Sequence, residues 1–140
     1  MNIDVLNDLL NQDDIIFYYH VTNKNPENII SEGFYMIDRE LYKTMIELPE
    51  EFILDPLDYS VNERGQRGTY RDNANVIIFG FNKDELDYIV DDAYYIPSNW
   101  SNDFPPNYFI SNEYILGYID TNKRDFVLNE SYKYNCYLSI

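Results

Sequence analysis

The chain has 140 residues and a mass of 16.8 kDa, the size of one domain (1–140), and its 45% hydrophobic and 17% aromatic content excludes a disordered acidic tail. Twenty-five acidic residues stand against ten basic ones, a formal net charge of −15, so the long-range field repels DNA, RNA and anionic lipid. A single cysteine, Cys136, excludes an internal disulfide and any cysteine-based zinc site.

Ile3, Leu6 and Leu10 recur at helical spacing, which predicts a short amphipathic helix over 3–11. The acidic start of the chain lacks the basic region of a secretory signal, and no apolar run is long enough to cross a bilayer. The expectation is a monomeric cytoplasmic domain. Ile15 to Val21 is a β-branched and aromatic run and predicts a buried strand. Asn25-Pro26 then supplies a cap and a first helical position, and Gly33 a left-handed stop, which bounds a two-turn helix.

Residues 38–46 read as a helix and 58–74 as a long polar loop after Pro49 and Pro56. Beyond it, 75–81 reads as a strand, 84–90 as a helix, 93–96 as extended and 97–107 as a proline-rich loop. Further strands are expected at 108–110, 113–120 and 132–138. Helices and strands mix without a βαβ rhythm, so the fold class is α+β.

Three features can carry chemistry. His20, the lone histidine, closes the first predicted strand beside a strand-to-helix loop. It reads either as a hydrogen-bonded core ring or as a group facing a ligand. Glu113 opens an otherwise apolar strand, where a carboxylate is costly to bury unless it is used, although a solvated strand end would also hold it. Arg64, Arg67 and Arg71 cluster with Gly65 and Gly68 in an otherwise acidic chain, either as an anion-binding loop or as a surface loop paired with neighbouring acids. No acidic pair has the spacing of a calcium loop, and no metal site is expected.

Phe17-Tyr18-Tyr19-His20-Val21-Thr22, followed by Ile29-Ile30 and Gly33-Phe34, resembles the first strand and helix of the ADP-ribosyltransferase superfamily. The branch concerned is the histidine-tyrosine-glutamate one of the diphtheria-type toxins and poly(ADP-ribose) polymerases. Asn112-Glu113-Tyr114-Ile115, in the right order near the other end, resembles the strand bearing that branch's catalytic glutamate. Val21 departs from the glycine common after the histidine. For the central tyrosine, Tyr70 of Gly68-Thr69-Tyr70 and Tyr59 are both candidates among fifteen tyrosines.

The resemblance implies a split-sheet ADP-ribosyltransferase-like fold with short helices, with NAD as co-substrate. ADP-ribose would pass to a protein or nucleic-acid acceptor, in the setting of a toxin or a phage anti-defence effector. It places Glu113, His20 and Tyr70 in catalysis, and His20, Val21, Thr22, Tyr59 and Tyr70 around the cofactor. To these, charge adds one or more of Arg64, Arg67 and Arg71 on the pyrophosphate. The competing expectation is a non-enzymatic acidic inhibitor that binds a basic, nucleic-acid-binding partner.

Overall fold

A computed structural model describes residues 2–36, 46–66, 75–84 and 108–135. In chain order the elements are α1 (Asn2–Leu10), β1 (Ile15–Thr22), α2 (Pro26–Glu32), β2 (Phe34–Met36), β3 (Ile46–Glu47), α3 (Glu50–Leu54) and α4 (Pro56–Gln66). They continue with β4 (Asn75–Asn82), β5 (Tyr108–Ile110), a 3₁₀ turn (Asn112–Tyr114), β6 (Ile115–Asp120) and β7 (Asp125–Leu128).

The fold is α+β. Five strands form a wholly antiparallel sheet in the order β3-β1-β4-β6-β7, and β2 pairs with β5 in a second, two-stranded sheet. β1 and β4 lie in the middle of the larger sheet with side chains buried on both faces, which explains why their sequences run apolar and aromatic instead of alternating. Tyr18, Ile77, Phe79, Phe81, Ile115 and Tyr118 face one side, where Ile29 of α2, Phe34 of β2 and Ile110 of β5 cover them. Phe17, Tyr19, Val21, Val76, Ile78 and Leu116 face the other, under α1, α3 and α4. Each fully buried Phe or Ile contributes about 1.5–3 kcal/mol of apolar transfer, so both faces of the sheet are needed for stability.

β6 keeps this two-sided pattern only by bulging. Ile78 faces Gly117 and Phe79 faces Ile115, so Leu116 is an extra residue that turns toward the α1 side. Gly117 sits at φ +153°, and a Cβ there would run into the Val127 carbonyl and the Phe126 ring. Glycine is required at this close approach.

The helix of α2 follows its sequence signals. The Asn25 side chain accepts the Glu27 N–H at 3.0 Å, Pro26 opens the helix, and Gly33, at φ 95°, returns its N–H to the Ile29 carbonyl at 2.8 Å. Elsewhere the expectations need correction. The stretch expected as a loop from residue 58 begins as helix α4. Asp55 ends α3 and accepts the Asp58 N–H at 3.1 Å, Pro56 takes the first helical position, and Leu57 and Tyr59 supply the apolar side. A capped proline start outweighs polar composition here.

The strand expected from 113 begins at Ile115, after a turn. The last strand among the described residues is Asp125–Leu128. Of the strand expected over 132–138, residues 132–135 are not extended into a sheet and turn at Lys133 and Tyr134, and 136–138 lie outside the described residues. Ile46 belongs to β3, and Asp84 to a turn. The features expected over 38–45, 85–90 and 93–107, and Cys136, lie outside the described residues.

Candidate functional site

His20 is 3% exposed and points to the α2 side of the sheet, because Tyr19 and Val21 on either side of it face the other way. Its ring meets the edge of Phe34 at 5.1 Å between centroids. Phe34 in turn carries the Lys24 ammonium 5.6 Å from its centroid and packs on Phe79. Thr22, buried on the same side of β1 as His20, accepts the Lys24 N–H at Oγ1 (3.2 Å) and so fixes the turn into α2.

Beside this cluster lies a hollow of about 330 Å³, bounded by Lys24 and Asn25 before α2, by Asn28, Ile29 and Glu32 on it, and by Phe34 after it. That size falls in the lower part of the small-molecule range. One cation and one carboxylate, with two amides and an aromatic ring, suit a polar ligand that carries a flat ring, an anionic group near Lys24 and a hydroxyl donor near Glu32.

Glu113 is half-buried in the 3₁₀ turn. Its backbone is held on three sides. Its carbonyl accepts the Lys133 N–H at 2.7 Å, the Asn112 side chain donates to the Ile30 and Ser31 carbonyls at 3.3 Å each, and Asn129 Nδ2 donates to the Asn112 and Ile115 carbonyls at 2.8 Å each. The turn is thereby docked on the C-terminal end of α2, the end that carries Glu32 and Gly33 of the hollow.

Register fixes the distance between the two anchors. His20 is level with Ile77 and, through it, with Tyr118, while Tyr18 is level with Phe79 and Ile115. Ile115 lies one two-residue strand step, about 7 Å, along the strands and roughly 10 Å across them from His20, and Glu113 sits in the turn that precedes it. The two anchors are therefore not in direct contact. α2 spans the interval between them, with Lys24 and Asn25 near one end of the hollow and the Glu113 turn against the other.

The remaining expected residues divide. The Val21 side chain lies in the core on the opposite face, and so does Tyr59, whose hydroxyl is 3.2 Å from that of Tyr19 and whose ring meets Tyr19 and Phe52. Arg64 falls in the last turns of α4. Arg67, Tyr70 and Arg71 lie outside the described residues.

A polar pair on the His20 face was not legible in the sequence. Tyr118 Oη donates to Glu27 Oε1 at 2.6 Å. Burial, then this bond, then the negative charges of Glu27, Asp120 and Asp125 push the phenol well above its ordinary value of 10.0. The partners are 91 residues apart, so no spacing rule pairs them. The one local hint is a tyrosine directly after the glycine of an apolar strand.

Among the described residues no group of three or more His, Cys, Asp or Glu could hold a metal ion, and no helix is long and apolar enough to cross a membrane. In comparisons with known proteins, no family model, no curated protein and no solved structure matches the chain.

Proposed function

We propose that the chain is an NAD-dependent ADP-ribosyltransferase of the histidine-tyrosine-glutamate type, acting on a macromolecular acceptor. The observation that carries the reading is the hollow along α2. His20 backs one of its walls through Phe34, and the Glu113 turn is docked on the helix end that closes it.

In this reading the bond between ribose C1′ and the nicotinamide nitrogen breaks, and the electron pair leaves with nitrogen. Because the departing ring goes from cation to neutral molecule, no general acid is needed, unlike ordinary glycoside hydrolysis. Glu113 stabilises the oxocarbenium-like ribose through its 2′-hydroxyl and orients the acceptor, whose nucleophile bonds to C1′ and loses its proton to solvent. His20 would hold the adenosine ribose once Phe34 turns off its ring, the Val21 backbone would hold the carboxamide, and Thr22 supports the turn.

Tyr59 is engaged in the opposite core, so stacking on nicotinamide falls to Tyr70. Arg64 shares helix α4 with Tyr59, so the pyrophosphate falls to one or both of Arg67 and Arg71. The experiment is direct: incubate the chain with NAD and a mixture of candidate acceptors, and measure released nicotinamide and the mass gain on protein or nucleic acid. The reading predicts both, and silence in both contradicts it.

A further inference from the structure

A second hollow, of about 250 Å³, opens at the edge of the larger sheet and shares no residue with the one along α2. β3 pairs with β1 only at Tyr18 and Tyr19, and the Leu48 N–H closes on the Phe17 carbonyl at 3.0 Å. No described strand covers that edge at Ile15 and Ile16. Ile16, Phe17, Leu48 and Ile53 give the hollow an apolar part, and Gln12, Asp13, Glu47 and Lys83 a polar one of similar extent. On the adjoining helix α3, Ile53 is 39% and Leu54 78% exposed, the two exposed large hydrophobic residues among the described ones. Isolated apolar residues on a surface need no explanation, but a consecutive pair beside a hollow with an apolar part does.

The rim is acidic. Asp13 and Glu47 border the hollow, and Glu50, Glu51 and Asp55 are exposed on or next to α3. The cation at the rim is Lys83, whose ammonium donates to the Asp13 carbonyl at 2.9 Å.

We propose that this groove docks a basic, apolar-anchored segment of a partner protein. One apolar side chain enters against Leu48 and Ile53, Leu54 packs on the segment's flank, and lysines or arginines on the same segment meet Asp13, Glu47 and Glu50. The apolar anchor supplies affinity, and the rim, in a chain of net charge −15, supplies partner choice and association rate. A second copy of this chain is a poor occupant, because it would set one acidic rim against another. Docking here leaves the hollow along α2 open, and the proposal stands independently of any reaction with NAD.

The test titrates the full chain, without NAD, with a labelled peptide of alternating lysine and leucine and with a length-matched oligolysine. Both are read by fluorescence anisotropy on the parent and on the Ile53→Ser/Leu54→Ser double variant. These side chains are exposed, and unchanged circular dichroism checks that the fold survives. The lysine-leucine peptide is expected to bind the parent more tightly than oligolysine does, and the double variant to lose about tenfold or more of that affinity. Raised salt should weaken binding further. Equal affinity for the two peptides, or equal binding by parent and double variant, overturns the proposal. So does a parent that self-associates in sedimentation and becomes monomeric in the double variant, since the groove would then belong to a second copy.

Discussion

The hydroxyl of Tyr118 donates a 2.6 Å hydrogen bond to the carboxylate of Glu27 and so ties β6 to the first turn of α2. Asn112 does the same at the other end of the helix, where its amide reaches the Ile30 and Ser31 carbonyls. α2 has only seven residues, too few to be stable alone, and these two ties with the burial of Ile29 hold it over the sheet. The hollow beside it exists because the helix is held there.

Tyr118→Phe removes one of the ties and leaves an exposed acceptor that water can satisfy. The expected cost is about 0.5–1.5 kcal/mol, measured by urea denaturation. Because the folded phenol titrates above its unfolded value, the stabilisation is complete below about pH 10 and is lost as pH rises toward the folded value. Parent stability should therefore fall more steeply above pH 10 than that of Tyr118→Phe. Parallel profiles would show that Tyr118 is not the linked group.

Gly117→Ala tests the close approach of β7 to β6. The added methyl meets the Val127 carbonyl, a backbone atom that cannot turn aside, and the expected loss is about 2 kcal/mol or more. A thermal midpoint equal to the parent's would mean that β6 and β7 can separate at no cost.

Asn129 is 4% exposed and bonds the carbonyls on both sides of Glu113. Asn129→Ala leaves both without this donor, at an expected cost of about 1–3 kcal/mol. Its effect on the reaction separates positioning from stability. Nicotinamide release at a temperature where the variant is fully folded should fall in kcat with KM for NAD little changed. A change in KM alone would remove the positioning role.

His20→Gln keeps most of the ring's volume next to Phe34. NAD affinity, read by calorimetry, should weaken by about tenfold while the denaturation midpoint moves little. Unfolding, or unchanged affinity, would make His20 a core residue without a ligand.

Where a signal is local, the sequence carried it. The strand at Ile15 and the helix from Pro26 to Gly33 follow from β-branching, capping and a left-handed glycine, and the structure has both. α4 was hidden because its sequence is polar and only its Asp55-Pro56 start announces a helix. β7 was hidden because Asp125–Leu128 is short, and its pairing with β6 needs a close approach at Gly117 that no alternation rule reveals. At the site, His20 and Glu113 could be singled out as unusual residues. Their separation along the sheet could not, because it follows from β1 and β6 flanking β4 in a fixed register. The Tyr118–Glu27 pair is a wholly tertiary feature.

The most direct measurement is nicotinamide release from NAD by the parent and by Glu113→Gln, with both shown to be folded. Loss of a group used in the transition state costs on the order of a hundred- to a thousand-fold in rate. The account predicts turnover by the parent and a fall of that size in the variant, with an unchanged denaturation midpoint. Equal turnover by the two proteins, or none by the parent, would contradict it.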